Sequence, residues 1–266
     1  MNYSNLHTFV ILAYKESRYL DDCIKSIVNQ SIKSSIVIAT TTDNSYIRNL
    51  AKKYDIQVVV GKHTNIGGDF DFAVNTGKTN LVTVAHQDDL YDYNYAKTII
   101  DEYNRNKNAT IIFTDYYEIR DKDKVYKNSN LKIKRFLLLP LRFKKISGFK
   151  FMKRLVLRFG NSICCPAVTF VKNNCPSTIF ESEYTSNVDW IAWERLSKTK
   201  GKFIYINQCL MGHRISDEST TTDIINQGIR TKEDYELLCK FWPKSIAKII
   251  NKGYKKSEKS NYVINK

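Results

Sequence analysis

No apolar run approaches the roughly 18 residues needed to cross a bilayer, so no transmembrane helix is expected. The N-terminal stretch MNYSNLHTFVILAYK has no basic region and no small-residue cleavage site. It reads as a first strand and not as a signal peptide. The cysteines at positions 23, 164, 165, 175, 209 and 239 form no Cys-x-x-Cys pair and no His/Cys metal spacing. Free thiols in a reducing cytoplasm are the expectation. No Asp or Glu occurs from Lys124 to Phe180, where 13 Lys and Arg residues fall. With a formal net charge of +15, the chain carries a field that attracts polyanions. No zinc-finger, RNA-recognition or helix-turn-helix pattern is present to direct that field to nucleic acid.

What is present in the first half is alternation. The runs at 8–13, 35–40, 56–60, 80–85 and 110–114 are short, apolar and rich in β-branched residues, as buried strands are. Between them lie helical patterns. Ser17 can cap the first, through Leu20, Cys23, Ile24, Ile27 and Val28, and Ser45 the second. Asn65 to Gly68 reads as a turn before a helix from about Asp69 to Gly77, and 93–105 as a fourth helix. This order predicts an α/β fold with a mostly parallel sheet flanked by helices. Ligands of such sheets bind beyond the carboxyl ends of the strands, where Tyr14, Thr40 and the His86–Asp89 segment lie.

The stretch VTVAHQDDLY (82–91) runs a buried strand straight into Asp88 and Asp89. Either acid can cap the helix that starts near Asp92, or lie in a solvated loop. Alternatively, the two carboxylates hold a hard divalent cation, which in turn holds a diphosphate. Further along, SNVDWIAWERL places Asp189 and Trp190 at a helix start, and His213 and Arg214 follow the strand at 202–207.

Taken together and in order, these segments resemble family 2 glycosyltransferases of the nucleotide-diphospho-sugar transferase (GT-A) fold. FVILAYKESRYLDDCIKSIVNQS resembles the family's first strand, tyrosine turn and Asn-Gln-Ser helix end. NIGGDFDFAVNTG resembles its Asn-x-Gly loop and helix, and VAHQDDLY its Asp-x-Asp-Asp element. Two departures stand out. His86 replaces the first acid, a variant resembling a His-Gln-Asp-Asp branch of bacterial surface-polysaccharide type. The second strand ends Ala39-Thr40-Thr41-Thr42-Asp43 where an Asp pair is usual.

The resemblance implies roles. Ala13, Tyr14 and Glu16 line the base pocket, with Thr40, Thr41 or Asp43 on base or ribose. Gly67 and Asp69 lie near the donor, although Asp69, like Asp71 a candidate donor contact, can equally cap its helix. Asp89 binds Mn²⁺ or Mg²⁺, and Asp88 binds the metal or the ribose. Arg214 pairs with phosphate oxygens, and His213 is a weaker metal candidate or a structural residue. Asp189 is the base of an inverting transfer, or a helix cap. Trp190 stacks on a sugar or belongs to the core. The Cys164-Cys165-Pro166 turn has no assigned chemistry.

The implied function is a metal-dependent transfer of a UDP-hexose sugar to a lipid-diphosphate-linked saccharide, as in lipopolysaccharide O-antigen or capsule synthesis. Residues 1–120 would bind the nucleotide-sugar, and 121–222 would form the acceptor and catalytic half. Residues 223–266 would be a helical extension with a basic tail. Residues 131–159 interleave Lys and Arg with Leu and Phe, which suits an anionic membrane surface. A cytoplasmic protein peripheral on the inner membrane is therefore expected. Two rivals stand. A nucleotidyltransferase of related fold would need a Gly-rich signature after the first strand, where AYKESRYL has none. A non-catalytic membrane- or polyanion-binding protein would have no use for Asp88, Asp89 and Asp189.

Overall fold

Along β1 (His7–Ala13), Phe9 and Ile11 pack on one side of the sheet and Val10 on the other, as the two-residue period of a strand requires. The same alternation in its neighbours sorts the apolar side chains into two cores. One contains Leu20, Ile24, Ile47 and Ile99 under the helices of one face; the other contains Ala73, Phe170, Trp193 and Phe203 under the helices of the opposite face. The computed structural model describes residues 2–180, 182–215 and 229–262.

β1 pairs in parallel with β2 (Ser35–Thr40) and β4 (Leu81–His86), and β2 with β3 (Gln57–Val60). The crossovers are α1 (Leu20–Val28), α2 (Ser45–Lys53) and α3 (Ile66–Thr76). After the short β5 (Leu90–Tyr91) come α4 (Tyr95–Arg105), β6 (Ala109–Arg120), β7 (Asp123–Val125), α5 (Ser129–Leu138) and α6 (Lys150–Leu155). β8 (Val168–Val171), α7 (Val188–Lys198), β9 (Lys202–Ile215), α8 (Ile229–Leu238) and α9 (Lys244–Tyr262) complete the order. The sheet runs β3-β2-β1-β4-β8-β6-β9-β5, with β7 on β6. β8 is antiparallel to both of its neighbours, and β6 and β9 are parallel. This is the α/β architecture expected from the alternation.

Several local expectations need correction. α1 begins at Leu20, and Ser17 lies outside its cap position, bonding the Tyr19 N–H instead. Asn44, not Ser45, caps α2, its Oδ1 accepting from the Ile47 N–H at 2.9 Å. α3 starts at Ile66 because Asn65 caps it through the Gly68 N–H at 2.8 Å. Gly67 and Gly68 thus form the first helical turn, and Asp69 is not the cap. A Cβ at Gly68 would meet the Thr64 hydroxyl, which would have to turn away to admit it.

β6 and β9 are much longer than their apolar runs. Their pairing continues past register shifts on either side of Asp115 and carries β9 as far as His213 and Arg214. The basic 131–159 stretch divides: Leu131, Leu138, Leu141, Val156 and Leu157 are buried, whereas Ile133, Phe136, Phe143, Phe149 and Phe151 are exposed. No described helix is long and apolar enough to cross a membrane. The polar run 216–222 and the end of the basic tail, 263–266, lie outside the described residues.

Candidate active site

The site begins where β4 ends. Gln87 ties that end to the end of β1: its Nε2 donates to the Tyr14 carbonyl at 2.9 Å, and its Oε1 accepts from the Tyr14 N–H at 3.0 Å. The Asp89 N–H then donates to the His86 carbonyl at 3.2 Å, closing a tight turn that presents His86, Asp88 and Asp89 together. One ligand atom from each of these three side chains lies within 4.8 Å of the others.

Asp89 is fully buried, and its Oδ1 accepts from the Arg214 backbone N–H at 2.8 Å and from His213 Nδ1 at 3.1 Å. Arg214 in turn donates from Nε to the Asp88 carbonyl at 2.9 Å, and its guanidinium lies over the Tyr19 ring. The long β9 therefore grips the β4 turn from the side. Neither Asp88 nor Asp89 caps α4, whose N-cap residue is Asn94.

Electrostatics fit a cation at this point. Burial, reinforced by the charge of Asp89, pushes the Asp88 carboxyl up to about 6. Burial pulls His86 down to about 4, leaving a neutral imidazole, the form that ligates metals. His86 Nε2 is buried with no hydrogen-bond partner among the described residues. A divalent ion would relieve the carboxylate repulsion, and His86, whose Nδ1 lies 4.0 Å from Asp89 Oδ2, would add an imidazole to a carboxylate set that takes a first-row divalent ion such as Mn²⁺. For His213, burial opposes protonation, but the charge and hydrogen bond of Asp89 together with the charge of Asp88 outweigh it and raise the pKa. His213 stands against Asp89, outside the converging trio; the histidine in the trio is His86.

Beside this turn, the ends of β1 and β2 meet α3. Lys15 adopts a left-handed φ of 54°, and its N–H donates to the Thr42 hydroxyl at 2.5 Å. Thr40 Oγ1 accepts from the Thr42 N–H at 3.1 Å. Asp69 Oδ2 accepts from Thr41 at 3.2 Å and from His63 at 2.8 Å, while its Oδ1 is buried without a partner. Ala13 is buried behind the exposed Tyr14 and Glu16, and Gly67 is buried in the first turn of α3. Both oxygens of Asp43 are held by Arg48 on α2, at 2.7 and 2.8 Å. Asp71 accepts from the Ile179 and Phe180 N–H groups at 2.8 and 3.0 Å, which anchors that chain segment.

Asp189 occupies the first turn of α7, past the N-cap residue Asn187, so it is not the cap. Its Oδ2 accepts from Asn161 Nδ2 at 2.5 Å and its Oδ1 from the Trp190 N–H at 2.8 Å. Burial raises its pKa, and those two donors oppose the rise. Asp89, Asp189 and Lys134 all act electrostatically on the Cys164 thiol. Burial also pushes both thiols up, which removes them as nucleophiles.

Trp190 does not form a sugar platform. It is 1% exposed, and its Nε1 donates to the Leu157 carbonyl at 3.1 Å inside the core. Three contributors had no readable signal. Lys134 donates to the Tyr116 hydroxyl at 2.9 Å, beside the site. Asn161 orients Asp189. Glu233 on α8 accepts from the N–H groups of Thr185, Ser186 and Asn187 at 2.7–2.9 Å, holding the approach to α7.

Residues 8–171 match the family model described as glycosyl transferase family 2. No curated protein matches the sequence. Among solved structures, the fold is similar to S. aureus TarS 1–349, with a TM-score of 0.60 at 10% identity, covering 92% of this chain and 69% of that one. TarS 1–349 in complex with UDP-GlcNAc gives a TM-score of 0.61 at 11% identity, covering 92% and 70%. The complex with UDP gives 0.56 at 11%, covering 89% and 70%. The architecture is that of a GT-A nucleotide-sugar glycosyltransferase, and the chain belongs to glycosyl transferase family 2.

Proposed function

We propose that the protein is an inverting, metal-dependent transferase. It moves a sugar from a UDP-hexose to a lipid-linked saccharide at the cytoplasmic membrane face, in O-antigen- or capsule-type polysaccharide assembly. One observation carries this reading: the ligand-type side chains of His86, Asp88 and Asp89 converge at the end of β4. The UDP-GlcNAc and UDP complexes of TarS support a uridine-diphosphate donor.

His86, Asp88 and Asp89 would hold Mn²⁺ or Mg²⁺, whose charge would balance that of the donor diphosphate. Arg214 is set beside them, and Tyr14, Thr41 and Asp69 line the neighbouring strand ends. Asp189 accepts the proton of the acceptor hydroxyl as its oxygen bonds to the anomeric carbon. The carbon–oxygen bond to the diphosphate breaks on the opposite face, which inverts the centre. The test is UDP release from a panel of UDP-hexoses with Mn²⁺ and with EDTA. Release that needs Mn²⁺ is expected for at least one donor; release undiminished in EDTA contradicts the metal role.

The membrane placement is supported by the outer face of 131–159. Phe136 and Phe143 are 69% and 68% exposed, and Phe149 and Phe151 nearly as much, among Lys132, Lys144, Lys145 and Lys150. A merely solvated face gains nothing from such rings, whereas a headgroup layer accepts both the rings and the ammonium groups. Binding to phosphatidylglycerol vesicles is expected to exceed binding to phosphatidylcholine vesicles and to fall with salt. The triple change Phe136→Ser, Phe143→Ser, Phe151→Ser should weaken it by about tenfold or more, each buried ring contributing roughly 1.5–3 kcal/mol. Equal sedimentation of the triple variant and the wild type would remove the aromatic face from the account.

A further inference from the structure

The amphipathic α5 has two sides, and only the outer one is explained by a lipid surface. Ile133 and Phe136 are exposed, but Lys134 between them is partly buried and reaches the Tyr116 hydroxyl at 2.9 Å. Tyr116 is buried, and its ring stands edge-on to His213 at 6.1 Å between centroids. Among the described residues no carboxylate forms an ion pair with the Lys134 ammonium, and the tyrosine hydroxyl is its hydrogen-bond partner. Lys134 nonetheless lies close enough to Asp189 and His213 to act on the charge of each.

We propose that Lys134 and Tyr116 form an anion site that takes a phosphate of a substrate, the phosphate of a lipid-linked acceptor foremost. This rests on the transferase reading above. The chemistry is specific. An ammonium has three N–H donors, of which Tyr116 uses one. The tyrosine oxygen accepts from Lys134, so its own O–H remains free to donate to the same phosphate oxygen. A partly buried cation with no carboxylate partner is costly to keep unless an anion completes it, and charge-assisted bonds to phosphate are the strong ones. The placement favours the acceptor. The donor diphosphate has the β4 carboxylate group and Arg214 to meet it. A phosphate suspended from a lipid at the outer face of α5 comes to Lys134 within about one helical turn of Phe136.

The experiment is titration calorimetry with two probes on wild type, Lys134→Met and Tyr116→Phe. One probe is a short-chain prenyl diphosphate in detergent; the other is UDP with Mn²⁺. Lys134→Met is expected to weaken prenyl diphosphate binding by about tenfold or more and to leave UDP within about twofold. Tyr116→Phe should weaken prenyl diphosphate by less, and Lys134→Arg should retain most of the affinity, which separates loss of charge from loss of fold. Weakening of UDP alone keeps the anion site but overturns the acceptor as its source. Unchanged binding of both probes by a Lys134→Met protein that melts like wild type overturns the proposal and leaves the transferase reading standing. Wild-type protein that binds neither probe overturns both.

Discussion

Asp189→Asn is expected to lower the rate of sugar transfer by roughly 10²–10⁴-fold, the usual contribution of a positioned general base, while UDP affinity stays near wild type. The reasoning is local. The variant keeps the shape of the side chain and can still accept from the Trp190 N–H, which bonds Oδ1 at 2.8 Å. The other oxygen accepts from Asn161 Nδ2, so an amide nitrogen placed there would oppose donor to donor. Asn161 is itself tied through Oδ1 to the Ile163 N–H at 3.3 Å, which resists a flip of its amide. A modest stability loss of about 1 kcal/mol should accompany the catalytic loss. The pH profile follows from the direction of the shift. Burial raises the Asp189 pKa, and only the ionised form accepts a proton. In the wild type the acidic limb of the rate should therefore sit above the ordinary carboxylate range, with activity falling as pH drops through it. More than about a tenth of wild-type turnover in Asp189→Asn would assign the base elsewhere.

The second large effect is expected at Asp89. This carboxylate has no solvent exposure, yet it accepts from the Arg214 N–H and from His213 and stands within 4.0 Å of His86 Nδ1. Asp89→Asn removes the negative charge that holds His213 toward its protonated form and one of the three converging metal-ligand candidates. Mn²⁺-supported UDP binding should fall about 100-fold or more, since changing even the residues behind a metal ligand typically costs 10–100-fold. A stability loss of about 1–3 kcal/mol is expected as well, because the amide leaves the β9 donors less well satisfied. The two effects are separable: the binding loss should persist at temperatures where the variant is fully folded.

Much of this architecture was legible in the residues themselves. The strands of the parallel half announce themselves as unbroken apolar runs because both of their faces are covered, and their ends then point to Tyr14, Thr40 and Asp88–Asp89. Helix starts were displaced because Ser, Asp and Asn cap about equally well, so Asn44 and Asn65 took the cap positions expected of Ser45 and Asp69. The extensions of β6 and β9 were not legible: Tyr116, Glu118, His213 and Arg214 break the apolar pattern, and only pairing between the two strands keeps them extended. For Trp190, at a helix start beside Asp189, a sugar platform and a core residue read alike in sequence, and only the tertiary structure places it in the core. Lys134, Asn161 and Glu233 matter through partners distant in sequence, and no local pattern encodes such partners.

The central claim is that the β4 turn is a metal-dependent uridine-diphosphate site. Its most direct test is titration calorimetry of UDP into wild-type protein with Mn²⁺ and with EDTA, alongside Asp89→Asn. Saturable binding that requires Mn²⁺ and is lost in Asp89→Asn is the predicted result. Equal UDP binding in EDTA, or equal binding by a folded Asp89→Asn protein, would contradict it.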